Sequence, residues 1–213
     1  MQANNKLIKQ SSTGQLPEED KPLHILAVEF IENILLDLVQ DDKREDALTE
    51  KLIQLSIFNQ NPIRWALVRE KVNKHKFSED IGVSHRSNKH KNIFVFEAKR
   101  LDNTLEKSRE REYVIGLTGG IERFKKEKHA KDLLHAGMIG YVQTDDFNTW
   151  ENKINTWISD EIIKPSSSTL IWDNTDKLFK KNQTTQITKY TSSHICISKK
   201  QINLTHLWIN LVN

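Results

Sequence analysis

Three side chains in one stretch of the sequence have the types and spacing for metal-assisted chemistry. Asp80, Glu97 and Lys99 lie within "FSEDIGVSHRSNKHKNIFVFEAKRL", residues 77–101. The run "NIFVFEAKR" is rich in aromatic and β-branched residues, which predicts a strand. Because side chains alternate across a strand, Glu97 and Lys99 point to the same face. Two carboxylates brought together repel unless a cation lies between them, and carboxylate oxygens are ligands that suit Mg²⁺.

The segment before that strand brings Asp80 toward Glu97. We interpret "EDIGVSH" as a neighbouring strand and the polar "HRSNKHKN" as a hairpin connection. Antiparallel pairing sets the start of one strand beside the end of the other, so the two carboxylates converge although 97 − 80 = 17 residues separate them. The ammonium of Lys99 would then orient or help to deprotonate an attacking water and offset charge that develops on a phosphate.

Composition limits the class of protein. A chain of 213 residues with a formal net charge of +3 suits one compact domain with a substantial core, and the mildly basic pI near 8.8 permits a nucleic-acid partner. The single cysteine, Cys196, rules out an intramolecular disulfide and leads us to expect a reducing, cytoplasmic setting. The N-terminus lacks the apolar core of a signal peptide, and acidic residues interrupt the most hydrophobic segment, "HILAVEFIENILLDLVQ". We therefore expect neither secretion nor a membrane span.

The elements that must position these side chains follow from periodicity and composition. Residues 1–20 are polar and predict a flexible tail, and residues 21–213 predict one domain. Apolar residues at three-and-four spacing predict a helix that begins near Pro22 and a second helix from about Asp42 to Phe58. These helices precede the first predicted strand, "IRWALVREKV".

The later segments predict a mixture of helices and strands. We predict helices in "GGIERFKKEKHAKDLL" and "DDFNTWENKINTWISDEI", and in the latter Trp150 and Trp157 are expected in the core. Strands are predicted in "AGMIGYVQ", "TLIWD" and "TTQITKYTSSHICIS", whereas "INLTHLWINLV" is compatible with a strand or a short helix. Helices that flank a central group of strands indicate an α/β or mixed α+β fold class.

One family combines these features. The order of an acidic helix, a strand, an aspartate on a second strand and "FEAKR" at the end of a third resembles the PD-(D/E)XK nuclease superfamily, the fold of many restriction endonucleases. Asp80 matches the aspartate of the motif, and Glu97, Ala98 and Lys99 match its E-x-K, while Glu79 stands where the family's name has proline. The resemblance covers residues 42–160, taken as the core, and leaves residues 166–213 as a β-rich C-terminal extension. It implies a restriction-endonuclease-like mixed β-sheet flanked by helices.

The resemblance also implies an activity and a cofactor. A metal-dependent endonuclease would hydrolyse DNA phosphodiester bonds through metal-activated water, in a prokaryotic restriction or anti-phage defence system. The ligands of Mg²⁺, for which Mn²⁺ could substitute, would be Asp80, Glu97 and the backbone carbonyl of Ala98, and Lys99 would be the catalytic lysine.

Further site residues follow from the same resemblance. Members of the family often add a glutamate from the preceding helix, and here "REDALTEKL" offers Glu45 or Glu50. We favour Glu45, because at helical spacing it lies toward the apolar side that should face the sheet. The helix after the E-x-K strand frequently turns a basic residue toward the substrate, and here it offers Arg123 and Lys126.

Basic residues close to the motif predict contacts with a phosphate backbone. Arg86 and Lys89 lie in the hairpin connection "HRSNKHK", and Arg123 and Lys126 lie in "RFKKEKHAK". A small chain leaves little room for a target-recognition domain, so sequence specificity would come from a homodimer, the C-terminal region or a partner protein. "KLFKK" is interpreted as surface.

Other interpretations of these residues remain open. Glu97 and Lys99 on an exposed edge strand would form only a weak ion pair. The scaffold would also suit a non-catalytic nucleic-acid-binding or partner-binding module, or a nuclease that acts on RNA. The eight histidines form no HExxH or Cys/His pattern, so His194 and His206 are interpreted as structural rather than as zinc ligands.

Overall fold

The computed structural model describes residues 21–38, 44–58, 65–68, 81–85, 92–116 and 119–212, and the statements below concern those residues. The helices are α1 (Leu23–Leu35), α2 (Glu45–Phe58), α3 (Gly120–Lys125) and α4 (Phe147–Ile163). The strands are β1 (Trp65–Val68), β2 (Ile81–His85), β3 (Asn92–Leu101), β4 (His135–Val142), β5 (Phe179–Gln183), β6 (Ile187–Ile195) and β7 (Gln201–Asn210). Within these ranges no helix has the length and apolarity needed to cross a membrane.

All the described strands belong to one mixed sheet in the order β1-β2-β3-β4-β7-β6-β5. The first three pair antiparallel, β3, β4 and β7 run parallel to one another, and β7, β6 and β5 pair antiparallel again. The expected class is therefore confirmed at the level of a mixed α+β fold with a central sheet. The C-terminal strands complete this sheet, because β7 pairs with β4 along its length.

Helices cover both faces of the sheet. On one face α1 and α2 pack their apolar stripes, including Ile31 and Leu52, against Phe94, Phe96 and Ala98 of β3. On the other face α3 and α4 pack against a cluster that contains Val95 and Leu101 of β3, together with side chains of β4 and β7. Adjacent residues of β3 thus enter opposite cores, as strand alternation predicts.

Two glycines let aromatic rings lie against β4. A Cβ atom on Gly137 would come within 2.4 Å of the Phe96 ring, and one on Gly140 within 2.4 Å of the Trp208 ring. Real Cβ atoms do not approach other atoms this closely. The pattern "AGMIGYV" is therefore a buried strand whose small residues accommodate large neighbours from both adjacent strands.

Most predicted elements are confirmed. Both N-terminal helices form, and "INLTHLWINLV" is resolved as strand β7. The elements β2 and β6 lie within their predicted segments, and β3, β4 and α4 each extend one residue beyond theirs. Trp150 and Trp157 are buried in the core beside α3 and α4, as expected. The predicted first strand is described only as the four residues of β1, since its other residues lie outside the described ranges.

Two predictions of local structure were wrong. The helix predicted to reach Leu134 stops at Lys125, because Glu127 and Ala130 adopt positive φ angles of 54° and 51° that a helix cannot contain. The segment "TLIWD" forms no strand, and instead leads into a short 3-10 helix, Asn174–Asp176. The segment "KLFKK" was interpreted as surface, and it contributes the start of edge strand β5, whose side chains are mostly polar and exposed.

Candidate active site

Glu97 and Lys99 lie together near the end of β3, on the same face as Val95 and Leu101. Lys99 Nζ is 2.9 Å from Glu97 Oε1, and the side chains are only 5% and 0% exposed, respectively. The strand is internal to the sheet, with β2 on one side and β4 on the other. The pair is therefore not the solvated edge contact considered as an alternative, and two such charges are buried only at a cost that the site must offset.

Glu45 reaches this pair from the first turn of α2. Its Oε1 atom is 3.4 Å from Lys99 Nζ, and its Oε2 accepts a hydrogen bond of 3.1 Å from the Arg100 backbone N–H. Ile81, the first described residue of β2, pairs with Phe96, so among the described residues β2 does not extend alongside Arg100. A carboxylate from α2 thus occupies the position where a neighbouring strand would accept that N–H.

Arg123 approaches Glu97 from α3. Its Nη1 donates to Glu97 Oε1 at 3.0 Å and to His129 Nε2 at 3.2 Å. Because a guanidinium only donates, the acceptor Nε2 of His129 carries no proton. His129 is brought here by the positive-φ turns that follow α3, and no spacing in the sequence indicates its place in the site.

Burial and charge act on these groups in opposite directions. Burial raises the pKa of Glu97, and the neighbouring Lys99 and Arg123 charges oppose that rise. Burial lowers the pKa of His129 to about 3, with repulsion from Arg123 and Lys99 acting in the same direction. His129 is therefore neutral near pH 7, in agreement with its acceptor role, and the charges of this cluster come from two carboxylates and two cations.

One carboxylate oxygen of Glu97 has no hydrogen-bond partner among the described residues. Glu97 Oε1 contacts both Lys99 and Arg123, whereas Oε2 is buried and has no hydrogen-bond partner among the described residues. His129 Nε2 lies 3.7 Å from this oxygen and has no proton to give, because it accepts from Arg123. An unpaired buried acceptor costs about 1–3 kcal/mol, so this oxygen marks where a further cation or donor would be stabilised.

The structure brings together only part of the predicted site. Glu45, Glu97, Lys99 and Arg123 converge, and Ala98 lies between the two motif residues on β3, where it packs into the opposite core. Lys126 instead pairs with Glu122, four residues earlier in the sequence, at 2.6 Å.

The other predicted site residues are not described. Asp80, Arg86 and Lys89 all lie outside the described residues. Within the part of the chain that the structure describes, no group of three or more His, Cys, Asp or Glu side chains is arranged to hold a metal ion.

Comparison of the chain with protein-family models, with curated proteins and with solved structures gave no match.

Proposed function

We propose that this protein is a metal-dependent nuclease that hydrolyses DNA phosphodiester bonds, with its centre at Glu97. The observation that carries the proposal is the buried Glu97 carboxylate, which contacts a lysine from its own strand and leaves Oε2 without a hydrogen-bond partner among the described residues. Titratable groups whose pKa values are perturbed by burial and by a specific charged partner cluster at functional sites.

The arrangement of elements supports the same proposal. An acidic helix, α2, precedes three antiparallel strands, and α3 then connects β3 to the parallel strand β4. This order agrees with the order on which the PD-(D/E)XK resemblance rests, and we propose a restriction-endonuclease-like core on that basis. Glu45, favoured over Glu50 from helical spacing, is the helix carboxylate that contacts Lys99.

The residues present fit a divalent cation. Glu97 Oε2 is the buried oxygen in need of a positive partner, and Asp80 directly precedes Ile81, which pairs with the residue before Glu97. In the proposal Asp80, Glu97 and the Ala98 carbonyl hold Mg²⁺, or Mn²⁺ in its place. Asp80 would give the cluster a third carboxylate against two cations, and the net negative charge that results favours the binding of a cation.

Each side chain of the cluster then has a role. Bound Mg²⁺ would act as a Lewis acid that favours ionisation of a water and offsets charge on the phosphate. Lys99, held between Glu97 and Glu45, orients that water and donates to the phosphate oxygen on which charge develops. Glu45 holds the Lys99 ammonium in place. The guanidinium of Arg123 offsets part of the negative charge of the buried Glu97 carboxylate.

Cleavage assays on plasmid DNA, single-stranded DNA and RNA, with Mg²⁺ or Mn²⁺, test the proposal. Metal-dependent DNA cleavage is expected, and Lys99→Ala and Asp80→Ala should each reduce it by a factor of at least about 1,000, within the range of positioned catalytic groups. Lys189→Ala is a matched control. Lys189 lies on β6, three strands from β3 in the sheet order, and it pairs there with Glu32 of α1. Cleavage that survives both site variants would refute the assignment.

The same assay separates the rival functions. A non-catalytic binding module would bind nucleic acid in a salt-sensitive manner without any metal-dependent cleavage. That rival has support in the pairing of Glu97 Oε1 with two cations, which is also what a purely structural cluster would show. If the protein cleaves RNA in preference to DNA, the proposed metal-dependent hydrolysis is retained and only the substrate class changes.

A further inference from the structure

A second set of buried polar side chains lies next to Lys125, the last residue of α3. It is a continuous chain of hydrogen bonds that runs through Trp208, Tyr113, His206, Ser192, His194 and Asp176, and we call it the buried hydrogen-bond chain. Its members come from β6, β7, the 3-10 helix and the loop before α3. The two histidines are fully buried, and Ser192 is 7% exposed.

The donors at one end fix the direction of every bond. Trp208 Nε1 can only donate, and it donates to Tyr113 Oη at 2.8 Å, so the single Tyr113 proton goes to His206 Nδ1, also at 2.8 Å. His206 Nδ1 is thus an acceptor, and its proton lies on Nε2, which donates to Ser192 Oγ at 2.7 Å.

The direction continues to a carboxylate. The Ser192 hydroxyl, having accepted from one histidine, donates to His194 Nε2 at 2.6 Å, and His194 Nδ1 donates to Asp176 Oδ1 at 2.5 Å. This assignment satisfies each atom with both histidines neutral and in opposite tautomers. Burial lowers the pKa of both imidazoles, which agrees with the neutral forms.

Asp176 also receives the ammonium of Lys125, the last residue of α3. Lys125 Nζ lies 2.5 Å from Asp176 Oδ1 and 4.4 Å from the centre of the Trp172 ring, and the side chain is fully buried. The other carboxylate oxygen accepts the Asp173 backbone N–H at 2.8 Å. The C-terminal region therefore supplies the counter-charge that keeps this lysine inside the protein.

The C-terminal region also supplies hydrogen-bond donors to the last backbone carbonyls of α3. The Ile197 backbone N–H donates to the Lys125 carbonyl at 2.8 Å, and Cys196 Sγ lies 3.6 Å from the Phe124 carbonyl as a weak donor. A helix of six residues is too short to be stable by itself, so its position depends on such contacts. Arg123, two residues before Lys125, is the residue that this short helix extends to Glu97.

We infer that Lys125 and Asp176 are positioning residues for the proposed active site: the contact between Lys125 and Asp176, at the end of the buried hydrogen-bond chain, fixes α3 so that Arg123 reaches Glu97. The inference rests on the proposed function insofar as Glu97 is the centre of that site. It gives the C-terminal strands a role in the site, although they contribute no side chain to the Glu97 cluster.

The Asp176, His194 and Ser192 side chains also have the order of contacts of a serine hydrolase triad. Ser192 is buried, however, and its oxygen already accepts from His206 on the side opposite to His194 in the chain. The geometry points to a structural use of these contacts, and a serine-directed probe provides an independent check.

The first experiment measures the tautomers of the two histidines by ¹⁵N NMR of the full chain at pH 7. We expect His194 to be neutral with its proton on Nδ1, and His206 neutral with its proton on Nε2. An imidazolium, or the reverse tautomer at either residue, would overturn the assigned donors and acceptors of the buried hydrogen-bond chain. Labelling of Ser192 by a fluorophosphonate would also overturn the structural assignment.

The second experiment follows the Arg123 guanidinium in variants. In the wild type its contacts with Glu97 and His129 should slow rotation of the Nη groups and give distinct Nη proton signals. Lys125→Met should abolish these signals, whereas Tyr113→Phe, which breaks the far end of the chain and spares the Lys125–Asp176 contact, should retain them. Asp176→Asn serves in place of Lys125→Met if the latter does not fold, and it should abolish them too.

Retention of the Arg123 signals in the Lys125 or Asp176 variants would refute the positioning role. These readouts need no cleavage, so they remain informative if the wild-type protein fails to cut nucleic acid. Conversely, an active nuclease with unaltered Arg123 signals in the variants would keep the proposed function and remove only this inference.

Discussion

The cluster around Glu97 and the buried hydrogen-bond chain are both polar groups inside the protein, and α3 contacts both. In the buried hydrogen-bond chain every side-chain nitrogen and oxygen from Trp208 to Asp176 has a partner. Its single carboxylate, that of Asp176, binds Lys125 and His194. In the cluster one oxygen of Glu97 has no hydrogen-bond partner among the described residues. A completely paired network rigidifies a fold, whereas an incompletely paired buried charge is what a ligand-binding site retains.

The two carboxylates also differ in the direction in which their pKa values move. Burial raises the pKa of Glu97 in spite of two neighbouring cations. For Asp176 burial acts in the same direction, but the hydrogen bonds from His194 and Lys125 and the charge of Lys125 outweigh it, and the pKa is lowered. The fold therefore favours an ionised Asp176 and disfavours an ionised Glu97, so their removal should have opposite consequences.

The largest expected effect is on stability at Asp176. Asp176→Ala leaves Lys125 as a buried charge without its counter-ion and His194 without its acceptor, so the free energy of unfolding should fall by about 3–5 kcal/mol. Urea unfolding of the wild type and the variant measures this change. The double variant Lys125→Met, Asp176→Asn should recover part of the loss, because no unpaired charge then remains, and a loss below about 1 kcal/mol in Asp176→Ala would contradict the comparison.

Glu97→Gln should show the reverse pattern. The neutral amide has nearly the same shape and keeps an oxygen that can accept from Lys99 or Arg123, and burial disfavours the charged carboxylate, so the free energy of unfolding should fall by less than in Asp176→Ala. Metal-dependent cleavage should nevertheless fall by at least about 100-fold, or about 2.7 kcal/mol in the activation barrier. Unfolding and cleavage measured on the same preparation test both parts. A loss of stability comparable to that of Asp176→Ala would make Glu97 a structural residue instead.

Acid should destabilise the buried hydrogen-bond chain. His194 and His206 have folded pKa values below the ordinary 6.5, so the unfolded chain binds protons that the folded chain excludes. Stability from these groups is complete above that value and is lost as the pH falls below it, by up to about 1.4 kcal/mol per pH unit for each histidine. Urea unfolding at a series of pH values checks this slope. A free energy of unfolding that stays constant from about pH 6.5 to 5 would show that the histidines are not held neutral.

The smallest expected effect is at Lys126. Its side chain is about one-third exposed, and its ammonium pairs with Glu122 rather than with the Glu97 carboxylate. Lys126→Met should weaken nucleic-acid binding only a few-fold, about 1 kcal/mol, and should reduce the salt dependence of binding by about one counterion. Binding titrations at two salt concentrations measure both quantities. A large loss of cleavage at saturating substrate would instead move Lys126 into the site.

Local periodicity predicted much of the fold correctly. The apolar stripe of α1, the strand "NIFVFEAKR" and the buried β4 are encoded by residues close together in sequence, whose spacing fixes which face is buried. The same reasoning failed for α3, where its helical pattern continues past Lys125 but the backbone turns at Glu127 and Ala130. It also failed at β5, where pairing with β6 makes a strand of polar residues.

The sequence by itself therefore determined that Glu97 and Lys99 share one face of a strand, and helical spacing correctly favoured Glu45 as the carboxylate that approaches them. Only the tertiary structure decided that Arg123 binds Glu97, that His129 joins them, and that Tyr113 reaches His206 across 93 positions of the chain. The physical reason is that alternation and helical period are properties of neighbouring residues. Contacts between distant side chains depend on how whole elements pack, and burial then selects which polar atoms must find one another.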